Sequence, residues 1–302
     1  MSAFPKIFVA GATGLLGGQI VKALLDRGAP VRALVRPGAG EEKKRSLTAL
    51  GSDRLELVEG DITDPAERLA EAVGDATTVI SAVQGGPDVI VDGQANLLRA
   101  AEKAGAQRFI PSDFAFDLTK LDDGDNFMID WRRQAAAARA GSPLDVISVL
   151  NGAFYEVMTG FMGLIDWEQG TLSHWGDPDQ PLDLTSVADT AAYTAAVALD
   201  PAATGTLRFA GEVMSMRQFH DAVQRGSGRT LELRHLGTAD DLRAEIARQA
   251  AVAQNPFDYV ALQYQWCMVS GKAKFDRLDN DRYPDVTPVS MTDFVRATAP
   301  GL

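Results

Sequence analysis

The feature that most constrains the fold is a set of three glycines near the start of the chain. Gly11, Gly14 and Gly17 follow the apolar run Ile7–Ala10 and open Leu15–Asp26, whose apolar residues recur at helical spacing. Such glycines permit a tight turn, a close approach of the backbone to a ligand and close helix–strand packing. The pattern predicts that a dinucleotide pyrophosphate binds at the helix N-terminus, where backbone N–H groups lack partners. The alternative is a tight strand–helix turn without a ligand.

The first half of the chain alternates between short apolar runs and helical patterns, which is typical of βαβ units. The further predicted strands are Val31–Val35, Leu55–Val58, Val79–Val83, Arg108–Ile110 and Val146–Val149. The helices predicted between them are Glu41–Leu50, Glu67–Val73, Gln94–Ala104 and Phe127–Ala140. Strands this apolar are buried on both faces, so we predict an α/β fold with a doubly wound parallel sheet (Rossmann) over residues 1–150.

Beyond Leu150 this alternation stops. Residues 159–185 hold repeated glycines and prolines and are predicted to be irregular. The helices predicted in this half are Ala188–Leu199, Ser215–Arg225, Asp240–Gln254 and Thr292–Thr298. We expect the first of them to pack back on the sheet, and we assign residues 151–302 to a smaller C-terminal substrate domain.

The net charge and the cysteine count narrow the class of protein. With 29 basic and 41 acidic residues the formal charge is −12, which disfavours contact with a nucleic-acid backbone. The single cysteine and three scattered histidines predict neither a disulfide nor a metal site. The sequence shows neither a signal-peptide pattern nor an apolar stretch of about 18 residues, so we expect no membrane contact and a cytoplasmic location.

The end of the second strand predicts which dinucleotide is bound. Arg36 lies 19 residues after Gly17, where an acidic residue would hold the 2′-hydroxyl of NAD. Arg45 follows on the next helix beside two lysines. Because a guanidinium pairs well with a phosphate, we predict NADP(H). The alternative is a solvated helix face on which these cations pair with Glu41 and Glu42.

Three further segments follow the carboxyl ends of strands, the edge at which parallel sheets bind ligands. Asp61 and Ile62 follow the third strand and should lie beside the adenine, unless Asp61 only caps a turn. Residues 82–84 end the fourth strand. Ser112 follows the fifth and is expected to hydrogen-bond a substrate oxygen or, alternatively, to cap a turn.

Several of these motifs together resemble one known family. They are the glycine turn, Gly60-Asp61, Val79–Val83 and Phe109–Phe114, with weaker likeness in Thr185–Ala191 and Tyr283–Phe294. The sequence is similar to the isoflavone-reductase-like and NmrA-like branch of the atypical short-chain dehydrogenases/reductases. The resemblance implies an NADP-binding domain and a smaller substrate domain. In one sub-branch it implies reduction of plant-phenolic-type or other aromatic substrates, and in another nucleotide sensing without catalysis.

The resemblance also implies which residues contact the cofactor. They are Gly11, Ala12, Thr13, Gly14, Leu15, Leu16, Gly17, Arg36, Arg45, Asp61, Ile62, Ala82, Val83, Gln84, Pro111, Ser112, Phe114, Gly152 and Phe154. Among these, Phe114 is expected to approach the nicotinamide, and Gly152 and Phe154 to form the far wall of the site.

One departure from the family concerns the chemistry. Its reductases carry a lysine in the pattern Phe-x-x-Lys, with an arginine four residues later. Here Phe127 is followed by Asp130 and Gln134, and no tyrosine is followed by a lysine four residues on. We therefore take Asp130 and His174 as candidate catalytic groups, with water as a third proton source. For Asp130 the alternative is a surface pair with Arg133, and for His174 it is a structural role. A one-residue shift could also bring Arg132 or Arg133 into the lysine's place, although arginine is a poor proton donor.

Two hypotheses about function follow. The first is an NADP(H)-dependent reductase of a small, largely apolar, aromatic substrate; the second is a non-catalytic NADP(H)-binding redox sensor that acts on a protein partner. The missing lysine favours the second. An aromatic-rich C-terminal half favours the first, if its aromatic residues line a pocket rather than a core. Those residues are Phe154, Phe161, Trp167, Trp175, Phe257, Tyr264 and Trp266. A homodimer is compatible with either hypothesis.

Overall fold

The computed structural model describes residues 4–298, so residues 1–3 and 299–302, the outer ends of the two predicted domains, lie outside the description. The strands are β1 (Ile7–Ala10), β2 (Val31–Val35), β3 (Leu55–Glu59), β4 (Thr78–Ser81), β5 (Arg108–Ile110), β6 (Asp145–Leu150), β7 (Ala153–Phe154), β8 (Ile165–Asp166), β9 (Thr171–His174), β10 (Leu182–Thr185), β11 (Gly205–Arg208), β12 (Glu212–Met214) and β13 (Glu232–His235). The α-helices are α1 (Leu15–Asp26), α2 (Glu41–Thr48), α3 (Ala66–Val73), α4 (Gln94–Ala104), α5 (Phe127–Ala138), α6 (Val187–Leu199), α7 (Met216–Ser227), α8 (Ala239–Ala250), α9 (Val260–Val269) and α10 (Met291–Thr298).

The central sheet has the order β11-β6-β5-β4-β1-β2-β3. Its pairs from β6 to β3 are parallel, and Phe8 of β1 is in register with Arg32 of β2 and Val79 of β4. All residues of β1 are fully buried, as expected for a strand covered on both faces. The predicted doubly wound α/β fold is therefore confirmed. Chain order reverses between β1 and β4, and such a switch point is where doubly wound sheets bind ligands.

The helices cover the sheet through the apolar stripes that the sequence shows. On α1 the buried side chains are Ile20, Val21 and Leu24, which lie on one face of the helix. The edge strand β3 is only partly buried, since it has a neighbour on one side only. Among residues 4–298, no helix combines the length and the apolar character needed to cross a membrane.

Two predictions about strands were wrong. Residues 159–185 contain β8, β9 and β10 rather than irregular chain, and β7, β11, β12 and β13 were not predicted either. The partners of two of these strands lie far along the sequence, since β9 pairs with β13 and β10 with β12. Short strands of this kind depend on tertiary pairing more than on local propensity. The fourth strand also ends at Ser81 instead of Val83.

The chain forms two compact units. The first holds the described residues up to Phe114 together with Trp131–Leu150 and Thr190–Leu207. The second holds Ala115–Asp130, Asn151–Asp189 and the described residues from Arg208 onward. In the first unit, Arg108 of β5 donates hydrogen bonds to the backbone oxygens of Ala198 and Ala203, 3.1 Å away in each case. The second unit has its own apolar core, built around residues such as Phe219 and Met291.

Candidate active site

The glycine turn between β1 and α1 is packed too closely for any other residue at two of its positions. Gly11 has a φ of +80°, and a Cβ there would lie 2.4 Å from the backbone oxygen of Ala82. A Cβ on Gly17 would lie 2.1 Å from the backbone oxygen of Gly11. Both obstacles are backbone atoms, so neither can move aside as a flexible side chain would. The turn therefore requires glycine at both positions, as the sequence predicts.

The N-terminus of α1 is open to a ligand. Gly14 precedes the helix with no side-chain cap, and the first turn carries no acidic residue. Gly14 and Leu15 are exposed, Thr13 and Leu16 are half-buried, and Ala12 is buried. Uncapped N–H groups at the positive end of a helix dipole form an anion-binding site. The residues present therefore fit a pyrophosphate.

The structure brings Arg36 and Asp61 close together at the ends of β2 and β3. The pKa of Asp61 is lowered, chiefly because its carboxylate accepts a hydrogen bond from the Thr63 backbone N–H, and in part because of the Arg36 charge. The Thr63 hydroxyl also donates to this carboxylate, at 2.7 Å. Asp61 thus caps a turn and stays ionised, while Ile62 beside it is buried and Arg36 is exposed.

Arg45 lies on the exposed face of α2. On the same helix, the Lys44 ammonium is 3.7 Å from the Glu41 carboxylate, an exposed pair of the kind that contributes little to stability. This pair is one that the alternative of a solvated helix face predicts, whereas Arg45 is exposed and has no ion pair among the described residues.

The ends of β4 and β5 are joined through Ser112. Its hydroxyl donates a hydrogen bond to the Val83 backbone oxygen at 2.7 Å, and its backbone N–H donates to the Gln94 side-chain oxygen at 2.8 Å. Its own backbone oxygen accepts a hydrogen bond from Arg132 Nε at 3.1 Å. Ala82 N–H donates to Ala10, which ties this segment to β1. In this structure the hydroxyl of Ser112 thus orients protein backbone.

The remaining predicted cofactor contacts of the first unit flank these groups. Pro111 and Phe114 are buried in the turn after β5, and Gln84 is exposed after β4. The sequence pattern gave no reason to single out Gln94, and it indicated Arg132 only as a substitute for the family's lysine. Only the fold shows that these two buried side chains hold the turn.

Gly152 and Phe154 belong to the second unit. Gly152 has a φ of +69°, and a Cβ there would lie 2.1 Å from the Asp183 backbone oxygen, so this position also requires glycine. Phe154 is half-buried on β7, in register with Thr185 of β10.

Asp130 lies in the first turn of α5 and is half-buried. One of its carboxylate oxygens accepts a hydrogen bond from the Gly124 N–H at 3.0 Å, which ties the helix to the preceding loop. One helical turn earlier, the Phe127 ring makes edge contacts with Phe257 and Tyr259, with centroids 5.4 and 6.4 Å away. These ring contacts make Phe127 part of an aromatic cluster, and Asp130 follows it by three residues on the same helix.

His174 lies on β9 and is 4% exposed. Its ring stacks on that of His235, 5.1 Å between centroids, and its Nδ1 is 3.3 Å from the Trp175 backbone oxygen. Burial lowers the pKa of His174, so the imidazole is neutral at pH 7. The surrounding side chains include Leu164 and Met268, which is an environment typical of a core histidine.

The aromatic residues of the C-terminal half are divided between core and surface. Trp266 is buried, and Trp167, Trp175 and Tyr264 pack against the core of the second unit. Phe161 and Phe257, in contrast, expose 60% and 43% of their surface. The exposed rings are the ones that a small aromatic molecule can reach.

The fold and the glycine turn define a doubly wound α/β protein with a dinucleotide-type first turn. Residues 5–280 match the NmrA-like family, and the chain belongs to this family.

Two curated relatives match nearly the whole chain. Pinoresinol reductase 1 of Arabidopsis thaliana is 26% identical, covering 96% of each chain. Isoflavone reductase of Cicer arietinum is 24% identical, covering 98% of this chain and 99% of the relative. Among solved structures, a binary complex of leucoanthocyanidin reductase with NADPH from Vitis vinifera aligns with a TM-score of 0.81 at 21% identity, covering 98% of this chain and 99% of that one.

Proposed function

We propose that this protein is an NADP(H)-dependent reductase of small, largely apolar, aromatic substrates. The observation that carries the proposal is the glycine turn at the switch point of the sheet, which leaves no room for a Cβ at Gly11 or Gly17. The relatives' names support the class of reaction, because they are reductases of pinoresinol and of isoflavones. The leucoanthocyanidin reductase structure with NADPH supports the cofactor.

In this proposal, the groups that follow β1 and β2 and the groups that follow β4 and β5 bind different parts of the cofactor. The α1 N-terminus binds the pyrophosphate, and Arg36 with Arg45 binds the 2′-phosphate. Val83 and the turn that holds Phe114 follow β4 and β5 and lie along the nicotinamide half. The bound cofactor supplies the hydride, and the protein orients it and excludes water.

The proton donor is the part of the proposal that departs from the family. Asp130 stands where the family resemblance implies the lysine, and it is half-buried in the first turn of α5. In this proposal its carboxyl group exchanges a proton with the bound aromatic substrate. His174 is the weaker candidate, because it is neutral and almost fully enclosed.

The second candidate function is a non-catalytic NADP(H) sensor, which the same substitution at Asp130 favours. Titration calorimetry with NADPH and NADH, followed by NADPH oxidation assays with quinones, enones and aldehydes, separates the candidates. Tight NADPH binding with steady turnover supports the reductase. NADPH binding without turnover supports the sensor, and failure to bind either nucleotide refutes both.

A further inference from the structure

Two buried arginines, Arg132 on α5 and Arg139 directly after its last residue, reach the turn that follows β5. Arg132 Nε donates to the backbone oxygen of Ser112 at 3.1 Å, and Arg139 Nη2 lies 2.6 Å from the carboxylate of Asp113. Arg132 and Arg139 are each 7% exposed. They are seven residues apart, so they lie two helical turns from each other on the same face. This face of the helix therefore holds two consecutive residues of the turn.

The ion pair between Arg139 and Asp113 is not arranged for maximum stability. Asp113 is fully buried, and one of its oxygens accepts both from Arg139 and from the Ser148 hydroxyl, at 2.8 Å. Its other oxygen and Nη1 of Arg139 are buried without a hydrogen-bond partner among residues 4–298. Such a pair costs desolvation energy that its hydrogen bonds only partly offset. A pair that adds little to stability is a candidate for positioning the turn.

A series of contacts connects this ion pair to the glycine turn between β1 and α1. Asp113 is bonded covalently to Ser112, whose hydroxyl donates to the Val83 backbone oxygen. The preceding residue, Ala82, presents the backbone oxygen against which Gly11 is packed. A shift of Asp113 therefore moves Ser112, and the hydrogen bond from Ser112 passes this movement to Val83 and Ala82, which pack beside Gly11.

The sheet topology indicates which half of the cofactor this affects. A doubly wound sheet consists of two mononucleotide-binding halves, which meet here between β1 and β4. Arg36 and Asp61 follow β2 and β3, in the half expected to bind the adenine nucleotide. Ser112 and Asp113 follow β5, in the half expected to bind the nicotinamide nucleotide.

We propose that Arg139, through its buried pair with Asp113, is a positioning residue that sets the affinity for the nicotinamide half of NADP(H). Arg132, seven residues earlier, holds the same turn through the Ser112 backbone oxygen. The inference rests on the proposed function, since it requires NADP(H) to be the ligand.

The test compares two ligands that share the adenine half, NADPH and adenosine 2′,5′-bisphosphate. Calorimetry is done well below the melting temperature of each variant. In Arg139→Met, NADPH affinity should fall about tenfold or more, while affinity for the bisphosphate should change less than about twofold. Arg139→Lys keeps the charge and should recover part of the NADPH affinity.

Arg108→Met is the matched control. Arg108 is also a buried arginine of the first unit, but it bonds to Ala198 and Ala203 instead of the turn. The Arg108→Met variant should have a lower melting temperature, but the ratio of its affinities for NADPH and for the bisphosphate should not change. If Arg139→Met does not fold, the double variant Asp113→Asn with Arg139→Met removes both buried charges and should show the same selective loss.

Three results would overturn the inference. They are equal weakening of both ligands by the Arg139 variants, no weakening of either, and the same selective loss in Arg108→Met. If the unaltered protein binds neither ligand, the proposed function fails and the inference fails with it. If it binds both and the variants show one of those three results, only the inference fails.

Discussion

Replacing Gly17 by alanine tests the packing of the glycine turn most directly. The added Cβ would lie 2.1 Å from the Gly11 backbone oxygen and 2.7 Å from its carbonyl carbon. Ordinary contacts between heavy atoms need about 3.5 Å, so α1 and the turn must separate by roughly 1 Å. Overpacking of this kind costs about 1–3 kcal/mol, partly offset by the higher helix propensity of alanine.

Gly18 provides the control in the same helix. A Cβ there would lie 3.3 Å from the Ala12 backbone oxygen, which requires an adjustment of only a few tenths of an ångström. Gly18→Ala should therefore be neutral or stabilise the protein by up to about 1 kcal/mol, because alanine restricts the unfolded chain.

Thermal unfolding and NADPH calorimetry measure both consequences. For a unit of this size, each kcal/mol shifts the melting temperature by about 2–4 °C. Gly17→Ala should melt several degrees lower and bind NADPH at least about tenfold more weakly, since the displaced N–H groups no longer face the pyrophosphate. Equal behaviour of the Gly17 and Gly18 variants in both assays would refute the packing argument.

Three further predictions concern charge. Arg36→Asp should weaken NADPH far more than NADH, because it replaces the partner of the 2′-phosphate by a like charge; calorimetry showing equal loss for both would exclude that role. Asp130→Asn should cut NADPH turnover about 100-fold with little change in cofactor affinity if Asp130 transfers a proton, and unchanged turnover would leave it the cap of the Gly124 loop. Burial raises the pKa of Glu156 above its ordinary 4.5, and that of Asp189 is raised by burial as well. Their contribution to stability is therefore present at low pH and lost as the pH rises through the raised values, and Glu156→Gln should reduce this decline in melting temperature measured from pH 4 upward.

Asp130 stands where the family resemblance implies a lysine, and the two side chains offer different chemistry. An ammonium donates hydrogen bonds and stays charged, whereas a carboxylate accepts them and exchanges its proton at lower pH. The structure already uses one carboxylate oxygen to hold the loop before α5. Turnover and sensing are both compatible with that contact, so the NADPH oxidation assay separates the two candidate functions, and Asp130→Asn then tests whether Asp130 transfers the proton.

The sequence by itself determined the β1–α1 turn and the alternation of strands and helices. The need for glycine at positions 11 and 17 could be predicted from the sequence, because it arises within one strand, one turn and one helix that together span about twenty residues. The same holds for Arg36, which lies at a set distance from the glycines at the end of the next strand. These features fixed the fold class and the predicted cofactor without any long-range contact.

Only the tertiary structure decided what holds the other side of the site. The bonds from Arg132 to Ser112 and from Arg139 to Asp113 join residues 20 and 26 positions apart, and no local pattern distinguishes these arginines from surface ones. The strands within residues 165–185 likewise depend on β12 and β13. The physical reason is the same in each case: burial and hydrogen-bond partners are properties of the packed chain, and they arise only when distant segments meet.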